Sequence, residues 1–268
     1  MNACLINGQA LSRIAISDRA IHYGDGLFET IALKYGVMPF WCDHYQRLLL
    51  GCERLKFPPL NEALLLQEID VVKQNQHHAI IKIIITRDAS ERGYRIPKAN
   101  TVKRIVQAYS LSEYPEKNYQ EGVRVIFCKT PVSENKHLAG IKHINRLDNV
   151  LASSEWEDES IAEGLMSNAQ QHIIQGTKSN IFCVREGEFY TPDLSSAGIL
   201  GIMRAQIITW AELHNIKMNI KAITRDDLFA ADEIFLCNSI FGIWPVTRLE
   251  EHDLPIGNYT QKLLNYFG

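Results

Sequence analysis

One lysine stands out for the residues around it. Lys142 lies in the stretch HLAGIKHINRL, 137–147, where Leu138 and Ile141 precede the amine and Ile144 follows it. A chain that passes into the protein here would place the amine against apolar walls, where desolvation favours its neutral form. A neutral amine is a nucleophile and can form a Schiff base with a carbonyl group. The alternative is a solvated loop charge, which is the usual state of a lysine.

The composition and net charge of the chain limit the kinds of ligand that such a site could bind. The chain has 268 residues, of which 46% are hydrophobic and 22% are charged, enough for one large or two modest domains with a sizeable core. A net charge of -3 gives no basic field that would gather nucleic acid or an anionic membrane. We therefore expect a small-molecule ligand, with neither nucleic acid nor membrane as a partner.

The cysteines and histidines do not form a metal-binding pattern. Six cysteines are scattered without a C-x-x-C pair, which predicts reduced thiols in the cytoplasm and no zinc site. The pair His77-His78 has no third ligand nearby, so solvated surface is its expected state. The start, MNACLINGQA, has no basic region followed by an apolar run, and no later run approaches the length of a membrane span.

Hydrophobic period and turn residues predict an α+β chain of two domains. The small N-terminal α/β domain covers 1–111 and opens with hairpins at Asn7-Gly8 and Tyr35-Gly36. Asp43 and Gln46 are placed to cap its first helix. The predicted helices and strands of this domain are helices over 43–57 and 61–74 and strands over 79–87 and 102–111.

A polar, proline-containing stretch then predicts a linker over 112–121. The larger C-terminal domain, 122–268, is predicted to consist mainly of short strands. These strands fall in 123–129, 163–169, 172–176, 179–192 and 232–246, with helices over 145–159 and 201–215 between them.

Six motifs, in order, carry a family resemblance. They are SDRAIHYGDGLFET, HYQRL, SERGY, HLAGIKHINRL, GIMR and CNSIFGIWPV. This set resembles the fold-type IV pyridoxal-phosphate enzymes, a group that holds branched-chain aminotransferases, D-amino-acid aminotransferases and 4-amino-4-deoxychorismate lyases. The chain is most similar to the lyases. The resemblance implies a D-amino-acid aminotransferase-like architecture, with barrel-like β structure in the larger domain, the cofactor in a cleft between the domains, and usually a homodimer.

The resemblance also assigns the cofactor residues. Lys142 matches the lysine that binds pyridoxal 5'-phosphate covalently and moves protons. Arg47 matches the arginine that holds the phosphate, a role that suits a guanidinium fork, and its alternative is a surface salt bridge. The other phosphate contacts implied are the helix-start N–H groups of Ile202 and Met203, with Asn238 and Ser239 after a strand. Without the family these four would be an ordinary helix start and turn residues.

Several positions separate the reactions within the family. Arg92 and Tyr94 lie where D-amino-acid aminotransferases carry arginine and histidine, and the lyases resemble this chain in having tyrosine. Phe28 replaces a tyrosine of those aminotransferases, and Leu147 replaces a tyrosine of branched-chain aminotransferases. All these differences favour the lyase, with Arg92, Tyr94 and Tyr109 as substrate anchors. The alternative for Arg92 and Tyr94 is an ordinary loop role.

One departure concerns the cofactor ring. The family has a glutamate that hydrogen-bonds the pyridine nitrogen, and this chain has Gln175 there, with Lys178 where a small residue is usual. A neutral amide cannot stabilise a pyridinium as a carboxylate does. Three alternatives stay open. Glu163 or a water could hydrogen-bond the pyridine nitrogen instead, or aromatisation of the product could make a weaker electron acceptor tolerable. The third alternative is that the protein is a weak catalyst.

The resemblance predicts an aminodeoxychorismate lyase reaction. Lys142 would remove the C4 proton of the substrate, and Lys142 or Thr30 would protonate the departing enol. The products would be pyruvate and 4-aminobenzoate for folate synthesis. Two alternatives stay open: an aminotransferase for D- or branched-chain amino acids, and a non-catalytic relative. Asn145 and Arg146 could orient ligands, or Asn145 could cap a helix.

Overall fold

A computed structural model describes residues 4–88, 92–111 and 114–267. The chain divides into two compact units. Met1–Ser112 and the short segment Ile141–Asn145 form the first unit, while Glu113–Gly140 and Arg146–Gly268 form the second. Helices and strands occur in both units, so the predicted α+β class is confirmed.

The first unit is a four-stranded antiparallel sheet with helices. The strand order is β1-β4-β3-β2, so β1 and β2 are the edge strands. In chain order the elements are β1 (Cys4–Ile6), α1 (Arg19–Tyr23), β2 (Gly26–Leu33), α2 (Trp41–Arg54), α3 (Glu62–Lys73), β3 (Ala79–Arg87) and β4 (Val102–Tyr109).

The two faces of this sheet differ in burial. Along β3, Ile81, Ile83 and Ile85 are fully buried, whereas the alternate residues Ile80 and Lys82 are half-buried. Successive side chains of a strand point to opposite faces. α2 contacts β2, and α3 contacts β1, β3 and β4. One face therefore forms the core of the unit, and the other stays partly accessible.

Local chemistry explains the turns and one helix start. Asn7 and Tyr35 have φ of 50° and 53°, and a glycine with positive φ follows each, as two-residue hairpin turns require. The side chain of Asn61 accepts a hydrogen bond from the N–H of Leu64 and caps α3. The predicted cap of α2 is wrong: its N-cap is Phe40, and Asp43 lies inside the first turn.

The described part of the second unit holds a nine-stranded mixed sheet. Its order is β10-β9-β8-β11-β12-β5-β6-β7, with β13 paired to β12. The elements are α4 (Lys117–Gln120), β5 (Val123–Phe127), α5 (Leu147–Ser153), β6 (Ile161–Ser167), β7 (Ile173–Gly176), β8 (Asn180–Arg185), β9 (Glu188–Pro192), α6 (Ile202–Leu213), β10 (Met218–Lys221), α7 (Arg225–Phe229), β11 (Glu233–Asn238), β12 (Gly242–Leu249), β13 (His252–Asp253) and α8 (Asn258–Phe267).

The core of this unit is built from strand side chains. Trp244 is fully buried, and its ring stacks on Phe241 at 3.9 Å between centroids. Val125 and Leu236, from neighbouring parts of the sheet, belong to the same cluster. Burial of such side chains contributes about 1.5–3 kcal/mol each. The sheet is therefore a stiff support for the loops at its strand ends.

The predicted domain limits stay a prediction. The predicted linker contains α4, and its residues 112–113 lie outside the described residues, as do 1–3 and 268 of the two domains. α5 is shorter than the helix predicted over 145–159. Within the described ranges, no helix combines the length and the apolar character that crossing a bilayer requires.

Candidate functional site

The lysine segment adds to the first sheet at its β2 edge. The N–H of Phe28 donates to the carbonyl of Lys142 at 2.9 Å, and the N–H of Ile144 donates to Gly26 O at 3.1 Å. Leu27 and His143 form the antiparallel bridge between these two hydrogen bonds. Backbone pairing at Lys142 and, two residues later, at Ile144 fixes the position from which the Lys142 side chain leaves the chain.

The amine lies beside an aromatic ring. Lys142 is half-buried, and its Nζ is 4.3 Å from the ring centroid of Phe28, a cation–π distance. Thr30 is two residues further along β2 and so shares the face of Phe28. Lys82 pairs with Thr30 across the strands, and its Nζ lies 5.8 Å from the same ring. The structure thus brings Lys142, Phe28 and Thr30 to one sheet face.

The predicted substrate residues of the first unit lie in two places. Tyr109 is half-buried on β4, where it pairs with Ile80, and its hydroxyl donates to Gln107 Oε1 at 2.9 Å. Arg92 and Tyr94 are exposed residues of a loop. The first two residues of their SERGY motif lie outside the described residues.

Arg19 and Tyr23 of α1 hold this loop. The guanidinium of Arg19 donates to the carbonyls of Gly93 at 2.9 Å and Tyr94 at 3.2 Å. The Tyr23 hydroxyl accepts from the N–H of Gly93, and the rings of Tyr23 and Tyr94 are 5.2 Å apart. Neither side chain was predicted from the sequence to contact this loop.

Arg47 projects from α2 onto a buried carboxylate. Its Nε donates to Glu29 Oε1 at 2.8 Å, and its Nη2 donates to Oε2 at 2.5 Å. His44, one turn earlier, places Nδ1 2.7 Å from the same Oε2. Both Glu29 and His44 are 1% exposed. This two-point contact fixes the plane of the guanidinium.

Glu29 is ionised in this setting. Burial alone would raise the pKa of the Glu29 carboxyl, but attraction to Arg47 and hydrogen bonds from His44 and Arg47 lower the pKa below its ordinary value. Glu29 was not among the candidate residues predicted from the sequence. A usable signal was present, because a charged residue occupies an otherwise apolar alternate position of GLFETIAL, facing the buried side.

In the second unit, Ile202 and Met203 begin α6. The N-cap is Gly201, and it supplies no side-chain hydrogen bond to the first turn. A Cβ at Gly201 would meet Asn180 Oδ1 at 1.9 Å, so this position needs glycine. Early N–H groups of a helix lack intrahelical acceptors and attract anions. The start of α6 therefore has the chemistry expected of a phosphate contact.

Asn238 and Ser239 follow β11 in the turn towards β12. The Oδ1 of Asn238 accepts from the N–H groups of Ile240 at 2.9 Å and Phe241 at 2.8 Å, and its Nδ2 donates to Lys178 O at 3.0 Å. The Asn238 side chain thus shapes the turn. A contact to a ligand from this position would come from the backbone or from Ser239.

Gln175 and Glu163 have different surroundings. Gln175, on β7, is 3% exposed, and its Oε1 accepts from the N–H of Ile199 at 2.9 Å. Glu163, on β6, is fully buried and accepts from Thr177 N–H and hydroxyl, from Lys178 N–H and from the Ser179 hydroxyl. Glu163 therefore holds the 176–179 turn.

The remaining candidates have local roles. Asn145 does not cap α5, whose N-cap residue is Arg146; instead, its Nδ2 donates to Gly24 O at 2.8 Å. Burial lowers the pKa of Arg146 to about 10 despite attraction to Asp148. Lys178 places its Nζ 5.6 Å from the Trp244 ring.

Each unit by itself carries groups of the kind that bind a phosphate ester or an aldehyde. A guanidinium held by Glu29, helix N–H groups at Gly201 and a serine after β11 are the groups that bind phosphate. The Lys142 amine is the group that would bond an aldehyde carbon. The departure is at the position predicted to contact the ring nitrogen, where this chain has the amide of Gln175. These residues remain predicted ligands.

The fold and these residues define a class of protein. The family described as Amino-transferase class IV matches residues 26–249. The chain belongs to this family, and the predicted fold-type IV architecture is confirmed.

Within the family, the similarity to lyases is the greater. The chain is 30% identical to an aminodeoxychorismate lyase of Vibrio harveyi over 96% of this chain and 97% of the relative. The crystal structure of 4-amino-4-deoxychorismate lyase from Pseudomonas aeruginosa is 40% identical, with a TM-score of 0.94 and coverage of 98% and 97%. A D-alanine aminotransferase of Bacillus licheniformis is 26% identical over 94% of this chain and 90% of the relative.

Proposed function

We infer that the protein is a pyridoxal-phosphate-dependent lyase that converts 4-amino-4-deoxychorismate to 4-aminobenzoate and pyruvate. The observation that carries this conclusion is the placement of Lys142, which is pinned to the β2 edge beside Phe28 and Thr30. Near full-length similarity to lyases at 30% and 40% identity supports it. The product serves folate synthesis.

The cofactor roles follow from the donor chemistry. Arg47, oriented by Glu29, would bind the phosphate, together with the N–H groups of Ile202 and Met203. Ser239 and the backbone of Asn238 would add further donors, because the side chain of Asn238 is engaged in its turn. Pyridoxal 5'-phosphate, when bound, supplies the conjugated ring that accepts electrons from the substrate.

Lys142 is the proposed general base. Its Nζ removes the proton from C4 of the substrate, the C–H electrons form the new ring double bond to C3, the C3–O bond breaks, and pyruvate leaves as its enolate with the electrons of that bond. The enolate then takes up a proton at its methylene carbon from Lys142 Nζ or from the Thr30 hydroxyl, which lies on the same sheet face, and becomes pyruvate. The ring that remains is aromatic, which drives the elimination and lowers the demand on the cofactor ring.

Three residues of the first unit are the proposed substrate anchors. The substrate carries two carboxylates, so the Arg92 guanidinium and the hydroxyls of Tyr94 and Tyr109 are suitable partners. The contacts of Arg19 and Tyr23 with the loop support a defined position for Arg92 and Tyr94. Tyr109 lies on strand β4, which pairs with both β1 and β3.

The test is direct synthesis of the product. The purified protein with pyridoxal phosphate and enzymatically generated aminodeoxychorismate should produce 4-aminobenzoate, followed by fluorescence. Lys142→Ala should reduce the rate by at least about 10³-fold. Lys34→Ala, which removes an exposed lysine just after β2, is the matched control and should keep the rate. Full activity of Lys142→Ala would overturn the mechanism.

An aminotransferase is the second candidate, favoured by the 26% identity to a D-alanine aminotransferase. It predicts that D-alanine or a branched-chain amino acid converts the bound cofactor to its amine form, visible by absorbance, and that 2-oxoglutarate restores the aldehyde. A protein without either activity would be a non-catalytic relative. Lyase turnover without this absorbance change excludes both alternatives.

We also propose a cytoplasmic homodimer. Leu147, Val150 and Leu151 of α5 are 76%, 61% and 58% exposed and lie on one side of the helix. A second copy would remove this apolar surface from water. The six cysteines are free thiols, as in proteins of a reducing compartment.

A further inference from the structure

The buried amide of Gln175 has one end already engaged. Its Oε1 accepts from the N–H of Ile199 at 2.9 Å, and among the described residues its Nε2 has no hydrogen-bond partner. The two ends of an amide differ, since oxygen accepts and nitrogen donates. A flipped amide would put Nε2–H against the Ile199 N–H, two donors facing each other. The backbone therefore decides which end of Gln175 can meet a ligand.

The segment that carries this N–H is itself fixed. Ile199 O accepts from Asn180 Nδ2 at 3.0 Å, and Gly140 N–H donates to Gly198 O at 2.9 Å. Gly198 has a φ of +83°, and a Cβ there would lie 3.2 Å from Gln175 Oε1 and 2.9 Å from Ile174. Glycine lets the segment approach the amide closely. The orientation of Gln175 is thus a property of the fold.

Glu163 cannot supply the missing carboxylate. Its Oε1 accepts from Gly164 N–H and Thr177 N–H at 3.0 Å each, and its Oε2 accepts from the Ser179 hydroxyl at 2.8 Å. Withdrawing the carboxylate would leave several buried donors unsatisfied, each at a substantial cost in stability. Between Glu163 and Gln175, only Gln175 has a polar atom, Nε2, without a hydrogen bond in the described residues.

We propose that the Gln175 Nε2 donates a hydrogen bond to the ring nitrogen of bound pyridoxal phosphate and so holds that nitrogen unprotonated. The proposal rests on the proposed function for the presence of the cofactor. An unprotonated pyridine nitrogen is an acceptor, which matches Nε2–H, whereas a pyridinium N–H would face a second donor. No negative charge from Gln175 or Glu163 is directed at this position to favour the protonated ring.

An unprotonated ring nitrogen would slow some reactions of the cofactor more than others. A neutral ring is a weaker electron acceptor, so reactions that depend on it alone become slow. An elimination that produces an aromatic ring depends less on the cofactor ring as an electron acceptor, because aromatisation itself favours the reaction. Gln175 therefore acts as a specificity determinant: it disfavours transamination more than it disfavours the lyase reaction. Gln175→Glu should raise the rate of amine-form cofactor production from D-alanine relative to lyase turnover.

The decisive readout is the protonation state of the cofactor, not activity. The holoenzyme, reconstituted with pyridoxal phosphate labelled with ¹⁵N in the ring, is expected to show a neutral-pyridine ¹⁵N resonance. Gln175→Glu should move the resonance to the pyridinium range. A pyridinium resonance in the wild type would overturn the proposal, as would an unchanged resonance in a folded Gln175→Glu protein.

A second measurement covers the case in which Gln175→Glu fails to fold. The wild type should bind pyridoxal phosphate about 2- to 10-fold more tightly than an analogue with C–H in place of the ring nitrogen. Gln175→Leu should lose this preference. Equal affinities in the wild type would reject the hydrogen bond. If the protein does not bind the cofactor at all, both this proposal and the proposed function are wrong. If the protein is an active lyase whose bound cofactor has a protonated ring nitrogen, only this proposal is wrong.

Discussion

Phe28 and Lys142 are joined twice, once through the backbone and once through their side chains. The Phe28 N–H donates to Lys142 O at 2.9 Å, and Lys142 Nζ lies 4.3 Å from the Phe28 ring centroid. The pairing holds a residue of the 141–145 segment against a strand more than a hundred positions earlier. The backbone hydrogen bond fixes the position of the Lys142 backbone, and the contact with the ring favours one position of its Nζ.

The Phe28 ring is expected to act as a positioning group. Phe28→Leu keeps an apolar side chain and removes the cation–π contact, so kcat should fall about 2- to 5-fold with little change in KM. Phe28→Tyr keeps the ring and should retain most of kcat. Steady-state production of 4-aminobenzoate measures both values. Phe229→Leu, a change at an exposed ring of the second unit, should leave both unchanged, and an unaltered kcat in Phe28→Leu would contradict the role.

The Glu29–Arg47 pair should make the free energy of unfolding depend on pH in the acidic range. Glu29→Gln removes the buried charge opposite Arg47 and should lower the free energy of unfolding by about 3 kcal/mol near neutral pH. The folded-state pKa of Glu29 is below the ordinary 4.5, so its contribution is present above that pH and lost as pH falls through the folded-state value. The gap between wild type and variant should therefore narrow in acid.

Urea unfolding at about pH 7 and at about pH 4 measures this gap. Glu251→Gln is the control, because Glu251 is an exposed partner of Arg248 and such surface pairs contribute little. A constant difference between wild type and Glu29→Gln at both pH values would mean that the carboxylate is not the titrating group.

Glu163 should prove to be a structural residue. Glu163→Gln places an amide donor among the N–H and hydroxyl donors of the 176–179 turn, so the free energy of unfolding should fall by about 2 kcal/mol. The ring ¹⁵N resonance of the bound cofactor should not move. Glu157→Gln, at an exposed glutamate, should change neither quantity. A shifted ¹⁵N resonance in Glu163→Gln would assign the ring contact to Glu163 instead.

The apolar side of α5 should control assembly. Leu151→Glu puts a charge on this surface, where its burial against a second copy would be costly. Sedimentation velocity should show a dimer for the wild type and a monomer for the variant. Leu213→Glu changes another exposed leucine, 71% exposed at the end of α6, and should stay dimeric. A monomeric wild type would remove the proposal.

Patterns of short range were readable in the sequence. The strand predicted over 79–87 is β3, and the helix predicted over 61–74 is α3 with Asn61 as its cap. These elements follow from side-chain period and from one capping residue, which depend on near neighbours only. Helix α8 was not predicted, and in the structure it packs against β11 and β12.

The lysine and the fold class were fixed by motifs in the sequence, because Lys142 and its neighbours are contiguous. What holds them was decided by tertiary structure: the β2 edge for Lys142, Glu29 for Arg47, and the Ile199 N–H for Gln175. The partners are 18 to 24 residues apart in the last two pairs and further in the first. No local period encodes such pairings, since hydrogen bonds across strands and helices form only once the chain has brought distant segments together.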